Sequence, residues 1–322
     1  MKENYYFLWN YNKFPFIYSI LKKNEKNILV INIQNNKNLK NKLSKLNNLE
    51  KIEKIILMEN NIKEYICQIF YRIFIFPFKR KKISLFVDGI PGYVPIFLAN
   101  LGTPNNFIYY EEGESLYIKN YIFLKKVEAL SVKNFINNFI KVILFCPKHS
   151  IKDIKKFYVR DKKRFNKLLQ KNDYISNFEI IEVNENKKLM NISTYDKELL
   201  KNIFLSKVNI KNTSRKKAII LTQPLYLDNP FTREETIKLF NDCIEKLKSE
   251  DYDIYLKLHP KEINDDNYIK ENVKRIGGEF PFELLSILDI NFDMGVTYNS
   301  TAINSSIIKE KILLKKFANK KY

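Results

Sequence analysis

Short apolar runs alternate with longer segments of helical periodicity along this chain, and the alternation limits the possible folds more than any other feature. The apolar runs predict strands at residues 5–9, 27–32, 54–58, 83–87, 107–110, 142–146, 178–183, 218–222, 254–258 and 292–296. Amphipathic patterns predict helices at 233–248 and 281–288, between the later strands. Strands that alternate with helices form parallel sheets, so the sequence predicts an α/β fold.

The length of the chain and one polar interruption indicate two domains. The chain has 322 residues, and its 24 Phe and 20 Tyr supply apolar side chains for two cores. Between residues 184 and 214 it becomes polar and rich in lysine, with one short helical pattern at 195–205. We therefore expect an N-terminal α/β domain at 1–190, a linker at 191–214 and a C-terminal α/β domain at 215–322.

The composition also bears on the cellular setting. No apolar stretch of ~18 residues is free of charges, and the first residues do not follow the pattern of a signal peptide. Cys67, Cys146 and Cys243 lie far apart, without the spacing of metal ligands or of a disulfide framework. These features predict a cytoplasmic protein.

The net charge of +20 suggests two kinds of anionic partner, a membrane surface or a nucleic acid. The basic run at residues 152–164 is predicted to be a helix, whose cations either face solvent or rest on anionic lipid headgroups at the inner face of the cytoplasmic membrane. A basic nucleic-acid-binding protein is the non-enzymatic alternative. It is supported by charge alone, because the chain carries no recognisable RNA- or DNA-binding motif, and we expect no nucleic acid as partner.

Polar motifs follow the predicted strands in both domains. Glu111-Glu112-Gly113 comes directly after the strand at 107–110, and His259-Pro260 follows the strand at 254–258. In open parallel sheets, ligands bind at the edge where the strands end, which we call the carboxyl edge. The sequence therefore predicts an acidic motif and a histidine motif at the carboxyl edges of two separate sheets.

Four further candidate residues belong to the predicted C-terminal domain. Ser300 and Thr301 are predicted to begin a helix after the strand at 292–296, where hydroxyls and free backbone N–H groups can bind a phosphate. Glu283 lies in the first turn of the helix at 281–288, and Gln223 follows the strand at 218–222. A purely structural role stays open for the Ser300-Thr301 pair, as an ordinary helix cap, and for Gln223, as part of a turn around Pro224.

Four motifs together resemble glycosyltransferase family 52, the bacterial lipooligosaccharide sialyltransferases. They are Tyr110-Glu111-Glu112-Gly113, Lys257-Leu258-His259-Pro260, Phe282-Glu283 and Ser300-Thr301. Related bacterial sialyltransferase and polysialyltransferase families share the acidic, His-Pro and Ser/Thr motifs. The resemblance implies a GT-B-like fold, with two Rossmann-like domains facing each other across a cleft. It also implies CMP-sialic acid as donor, a galactose-terminated glycan as acceptor and inversion at the anomeric carbon.

The same resemblance assigns roles to individual residues. One carboxylate of the acidic motif, for which we favour Glu112 over Glu111, is expected to be the general base for the acceptor hydroxyl. His259 is expected to contact the CMP phosphate and to assist the departure of CMP, and Lys257 and Pro260 of the same motif are expected to bind the donor. On the donor side, the hydroxyls of Ser300 and Thr301 would bind the phosphate and Glu283 the ribose, and Gln223 would contact the donor.

No metal and no cofactor other than the donor substrate is expected. Asp251-Tyr252-Asp253 spells an Asp-x-Asp pattern, but it precedes its strand and is predicted to lie at the edge opposite His259. Two points stay open, namely whether the protein forms a homodimer and whether it is instead another GT-B glycosyltransferase with a different nucleotide-sugar donor.

Overall fold

The computed structural model describes residues 3–8, 11–33, 37–58, 82–87, 103–111, 154–171, 178–210, 213–227, 231–259, 262, 268, 273–277 and 279–314. Three motif residues, Glu112, Gly113 and Pro260, lie outside these ranges, as does the strand predicted at 142–146. The chain forms two compact units, Met1–Glu185 and Asn186–Tyr322.

The first unit is built on a parallel sheet. Its strands are β1 (Glu3–Leu8), β2 (Lys26–Asn32), β3 (Lys54–Met58), β4 (Lys82–Val87), β5 (Thr103–Tyr110), β6 (Ile154–Val159) and β7 (Glu179–Glu182). They lie in the order β3-β2-β1-β4-β5-β6-β7, and every pair is parallel. Because β1 lies inside the sheet with the chain first moving to one side and then to the other, this is the doubly wound arrangement of Rossmann-like folds.

Helices pack on this sheet through apolar side chains. Among the described residues they are α1 (Phe14–Ile20), α2 (Lys37–Ser44) and α3 (Lys162–Lys171), with two short 3₁₀ helices at Tyr11–Lys13 and Lys45–Asn48. Helix α4 (Glu185–Met190) begins at the final residue of this unit, and its other residues belong to the second unit. Every residue of α1 is buried, whereas α3 buries only Phe165, Leu168 and Leu169 and leaves its basic residues exposed. Helix α3 is therefore amphipathic, with one apolar face and one strongly cationic face.

The second unit contains a smaller parallel sheet. Its strands are β8 (Lys217–Leu221), β9 (Asp253–Lys257), β10 (Val273–Ile276), β11 (Phe292–Thr297) and β12 (Ile308–Leu313), in the order β10-β9-β8-β11-β12. The helices are α5 (Thr194–Leu200), the π-helical turn Lys201–Leu205, α6 (Arg233–Ser249) and the 3₁₀ helices Leu225–Leu227, Phe282–Leu288 and Thr301–Asn304. The core includes Ile220, Leu256, Phe240 and Val296, which come from strands and from α6.

The predicted α/β fold with parallel sheets is confirmed. All predicted strands that fall on described residues are present within a few positions of their predicted ends. The helix predicted over the basic run at 152–164 is wrong, because residues 154–159 form β6 and the following helix begins only at Lys162. Phe157 and Val159 alternate with less buried residues between β5 and β7, so the pattern has the period of a strand.

Two strands of the second sheet, β10 and β12, are not predicted from the sequence. Both are edge strands with charged residues in their sequences, and both carry little continuous apolar character. The helix predicted at 281–288 is present as the 3₁₀ helix Phe282–Leu288. None of the helices in the described ranges combines the length and the apolar character needed to cross a membrane.

Candidate functional site

The carboxyl edge of the second sheet gathers most of the predicted donor-side residues. Leu221, the last residue of β8, is in register with Lys257 at the end of β9 and with Thr297 at the end of β11. Gln223 follows β8, His259 follows β9, and the pair Ser300-Thr301 follows β11. The chain runs from β8 to β9 on one side and returns to β11 on the other, which makes this edge the topological switch point where ligands bind in such sheets.

Gln223 connects the ends of two of these strands. Its side-chain oxygen accepts the backbone N–H of Asn299 at 2.6 Å and lies 3.4 Å from the Thr297 hydroxyl. The Thr297 hydroxyl donates at a shorter distance, 2.9 Å, to the Leu221 carbonyl. Gln223 therefore holds the loop that leads from β11 to the Ser300-Thr301 pair.

Ser300 and Thr301 begin one short turn and not a long helix. Ser300 is the N-cap of the 3₁₀ helix Thr301–Asn304, and its hydroxyl accepts from the Ala302 N–H at 3.4 Å. Both side chains are half-buried. A macrodipole grows with the number of aligned peptides, so an anion at this turn would be bound mainly by hydroxyls and individual N–H groups.

Gly295 allows this turn to pack closely on β11. A Cβ atom at Gly295 would lie 2.8 Å from Ile303 Cδ1 and 2.8 Å from Ile308 Cγ2, which is closer than side chains pack. Ile303 belongs to the turn that carries Thr301, and Ile308 begins β12. The absence of a side chain at Gly295 thus sets how near the Ser300-Thr301 turn comes to the sheet.

His259 is half-buried and is held through its backbone. Its N–H donates to the Thr222 hydroxyl at 2.9 Å, and its carbonyl accepts from the Glu262 N–H at 2.8 Å. Thr222 in turn donates its own N–H to the Lys257 carbonyl at 3.1 Å, which continues the β8–β9 pairing by one residue. The sequence motif predicts His259 at this edge, but it gives no sign of Thr222 or Glu262, since neither belongs to a recognised motif.

Among the described cations of the second unit, Lys257 has the most strongly shifted pKa. Its side chain is buried at the end of β9, with the ammonium nitrogen 4.8 Å from the centre of the Phe280 ring. Burial lowers the pKa of Lys257 to about 8, and the carboxylate of Glu283 opposes this shift. Lys257 and Glu283, predicted as separate donor contacts, therefore interact electrostatically with each other.

Glu111, the described glutamate of the acidic motif, is held by an arginine that follows β6. Glu111 is 4% exposed, and its carboxylate accepts from the Arg160 backbone N–H at 2.8 Å and from the guanidinium at 3.4 Å. Arg160 also pairs with Glu185 at 2.9 Å and stacks 4.6 Å from the centre of the Phe16 ring. Both carboxylate oxygens of Glu111 thus face Arg160, a partner that the sequence does not reveal.

The Asp-x-Asp pattern lies away from the carboxyl edge of its sheet. Asp253 is the first residue of β9, and hydrogen bonds from Thr213 and from Lys274 hold its pKa below the usual range. Asp251 precedes the strand and pairs with Arg215 at 3.5 Å. His259 follows the other end of the same strand, so these aspartates and His259 are at opposite edges, as predicted.

A model of the alpha-2,8-polysialyltransferase family matches residues 9–306 of the chain. A Haemophilus influenzae protein described as uncharacterized is 36% identical over 114 residues, and the match covers 32% of this chain and 36% of that protein. The chain thus matches only about a third of the length of this relative.

Solved structures share the fold at low sequence identity. The GT-B domain of a sialyltransferase from Photobacterium damselae is 14% identical, with a TM-score of 0.54, 96% of this chain covered and 89% of that one. A UDP-GlcNAc 2-epimerase from Neisseria meningitidis is 16% identical, with a TM-score of 0.50 and coverage of 98% and 82%. The fold is that of the GT-B enzymes. The family model matches nearly the whole chain, which shows that the chain belongs to the alpha-2,8-polysialyltransferase family.

Proposed function

We propose that the protein is an inverting sialyltransferase, which moves sialic acid from CMP-sialic acid to a terminal galactoside of a lipooligosaccharide or a related surface glycan. One observation carries the donor side of this proposal. The ends of β8, β9 and β11 bring Gln223, His259 and the Ser300-Thr301 pair to one carboxyl edge, at the switch point of the sheet. Family membership supplies the reaction class.

The donor nucleotide would bind through its phosphate at this edge. The hydroxyls of Ser300 and Thr301 would donate to phosphate oxygens, and the His259 imidazole would donate to the oxygen that leaves with CMP. Lys257 adds a positive charge two residues before His259, which favours the same anion. Since Glu283 interacts with Lys257, its proposed contact with the ribose hydroxyls would use the part of the carboxylate that faces away from the ammonium.

The acceptor hydroxyl needs a base, and we assign this role to Glu112. The oxygens of Glu111 are occupied by the backbone N–H and the guanidinium of Arg160, so Glu111 is poorly placed to accept another proton. Adjacent residues at a strand end direct their side chains to opposite sides. The burial and pairing of Glu111 therefore support the assignment of the base to Glu112.

Metal independence is part of the proposal. CMP leaves as a phosphate monoester, whose developing charge can be met by the hydroxyls, the imidazole and the nearby lysine. If this is correct, transfer continues in EDTA. If EDTA abolishes transfer and Mg²⁺ or Mn²⁺ restores it, the proposed chemistry is wrong and Asp251 and Asp253 become candidates.

The acceptor has a second candidate, because the matching family is named for alpha-2,8-polysialyltransfer. In that linkage the acceptor hydroxyl belongs to another sialic acid and not to galactose. Parallel assays with a lactoside and with a sialylated lactoside distinguish the two acceptors.

The donor nucleotide can be tested by binding alone. We expect CMP to bind more tightly than UDP or CDP in a calorimetric titration, since the described residues of the site include few cations for a diphosphate. Tighter binding of UDP would favour another GT-B reaction, as in the UDP-GlcNAc 2-epimerase that shares the fold.

We also propose that the cationic face of α3 contacts anionic membrane. Lys162, Lys163, Arg164, Lys167 and Lys171 are exposed, and within the helix itself no residue is acidic. Each such cation near an anionic surface contributes about 1 kcal/mol. Co-sedimentation with phosphatidylglycerol vesicles tests the contact, and equal binding to neutral vesicles would contradict it.

A further inference from the structure

A buried chain of hydrogen bonds fixes the backbone of His259 on both sides. The His259 N–H donates to the Thr222 hydroxyl at 2.9 Å, and the His259 carbonyl accepts from the Glu262 N–H at 2.8 Å. Both polar backbone groups of this residue therefore have partners, one from the end of β8 and one three residues later in the chain. Since only two rotatable bonds join the imidazole to the backbone, its position depends on Thr222 and Glu262.

The carboxylate of Glu262 determines the direction of these hydrogen bonds. It accepts from the Thr222 hydroxyl at 2.7 Å and from the Tyr268 hydroxyl at 2.8 Å. A carboxylate can only accept, so Thr222 must donate its single hydroxyl proton to Glu262. The lone pairs of the Thr222 oxygen are then available for the His259 N–H, and each bond in such a chain strengthens the next.

The three side chains are as buried as the apolar core. Their exposed fractions are 3% for Thr222, 2% for Glu262 and 1% for Tyr268. A buried carboxylate is costly unless hydrogen bonds satisfy it, and apolar residues of similar volume often stabilise a core equally well. A carboxylate that is joined to the His259 N–H through the Thr222 hydroxyl therefore indicates a need for orientation that an apolar side chain would not supply.

We propose that Thr222, Glu262 and Tyr268 are positioning residues, which orient the His259 imidazole toward the leaving phosphate. The proposal rests on the proposed function, in which His259 contacts CMP. None of the three needs to touch the substrate, because each acts through the backbone of His259.

A matched pair of threonine variants tests this proposal. Thr222→Val removes the hydroxyl and keeps the shape, whereas Thr222→Ser keeps the hydroxyl. We expect Thr222→Val to lower kcat by roughly 10–100-fold with KM for the donor changed less than about 3-fold, because misplacement of a reacting group mainly affects turnover. Thr222→Ser should retain most activity. Thr236→Val is the control, since Thr236 is another buried threonine of this unit, and its hydroxyl donates to the Thr232 carbonyl.

A double-variant cycle separates positioning from general stability. His259→Ala alone should lower turnover by roughly 10²–10⁴-fold. If Thr222 acts through His259, adding Thr222→Val to His259→Ala should cause little further loss. Full additivity of the two losses would overturn the proposal, and so would equal losses of kcat in Thr222→Val and Thr236→Val.

A substrate-free measurement keeps the inference separate from the proposed function. The chain has only two histidines, His149 and His259, so His149→Gln assigns the imidazole NMR signals. Glu262→Gln and Tyr268→Phe, like Thr222→Val, should shift the titration midpoint of the His259 imidazole, and Thr236→Val should not. Unchanged midpoints in all three folded variants would overturn the inference even if the wild type transfers sialic acid. Shifted midpoints without any wild-type transfer would support it while contradicting the proposed function.

Discussion

The carboxylate of Glu111 accepts the backbone N–H of Arg160 at 2.8 Å, and the guanidinium of the same arginine lies 3.4 Å away. This pair joins the ends of β5 and β6, and Arg160 extends it to Glu185, the last residue of the first unit. The first glutamate of the acidic motif is thus held by a partly buried ion pair, and this contact supports our proposal that the second is the general base.

The two glutamates should respond differently to the same substitution. Glu111→Gln leaves a guanidinium without one of its charged partners, so we expect the free energy of unfolding to fall by about 1–3 kcal/mol while transfer per folded molecule falls less than 10-fold. Glu112→Gln should retain CMP binding and stability yet lose transfer by at least ~10²-fold. Urea denaturation and initial rates measure the two effects.

Glu179→Gln is the matched control for stability, because Glu179 pairs with Lys156 in the same unit but is largely exposed. It should change the free energy of unfolding by less than about 1 kcal/mol. An inactive Glu111→Gln variant of normal stability, with an active Glu112→Gln variant, would reverse the assignment of the base.

The burial of Lys257 should make stability depend on pH. Its folded-state pKa of about 8 lies below its ordinary value of 10.5, so between these pH values the unfolded chain binds a proton that the folded chain does not. Stability contributed by this residue therefore rises as the pH increases from 8 to 10.5, by up to about 3 kcal/mol. Chemical denaturation of the wild type and of Lys257→Met across this range measures the difference.

Lys246→Met, at an exposed position of α6, is the control and should follow the wild type at every pH. If the wild type and Lys257→Met instead keep a constant difference between pH 7.5 and 10, Lys257 does not titrate in this range.

Substitution of Gly295 should disturb the Ser300-Thr301 turn. Its new methyl group would lie 2.8 Å from Ile303 and from Ile308, so Gly295→Ala should destabilise the unit by about 1–3 kcal/mol and weaken CMP binding. Gly277→Ala is the matched control, because a Cβ atom there meets nothing within 4 Å. Thermal unfolding and calorimetry measure both effects, and we expect Ile303→Val to relieve part of the loss. Equal behaviour of the two glycine variants would contradict the packing argument.

The hydroxyl pair should contribute to nucleotide affinity. Replacing Ser300 by Ala and Thr301 by Val removes two donors to a charged phosphate, so we expect the Kd for CMP to rise by roughly 10–100-fold. Ser306→Ala, an exposed serine just beyond the turn, should leave the Kd unchanged. An unaltered CMP affinity in the double variant would contradict the proposed binding of the phosphate by Ser300 and Thr301.

The sequence predicts those parts of the fold whose apolar residues are continuous. Strands β9 and β11 are of this kind, and His259 and Ser300 follow them at the carboxyl edge as predicted. Strand β6 carries two lysines and is recognisable as a strand only through its neighbours β5 and β7.

The contacts that support the site are harder to predict than the motifs. Glu111 and Arg160 are 49 residues apart, and Thr222 and Glu262 are 40 apart. Such pairs meet only because strand order and register bring the strand ends level, and neither order nor register can be read from one sequence.

The most direct test of the proposed function is transfer itself. Wild-type protein is incubated with CMP-Neu5Ac and a labelled lactoside or sialylated lactoside, and the products are separated by chromatography. We predict a sialylated product on at least one acceptor, formed together with CMP and lost in Glu112→Gln. The absence of product on both acceptors, with CMP-Neu5Ac and other CMP-nonulosonates alike, would contradict the assignment of this protein as a CMP-sialic acid-dependent sialyltransferase.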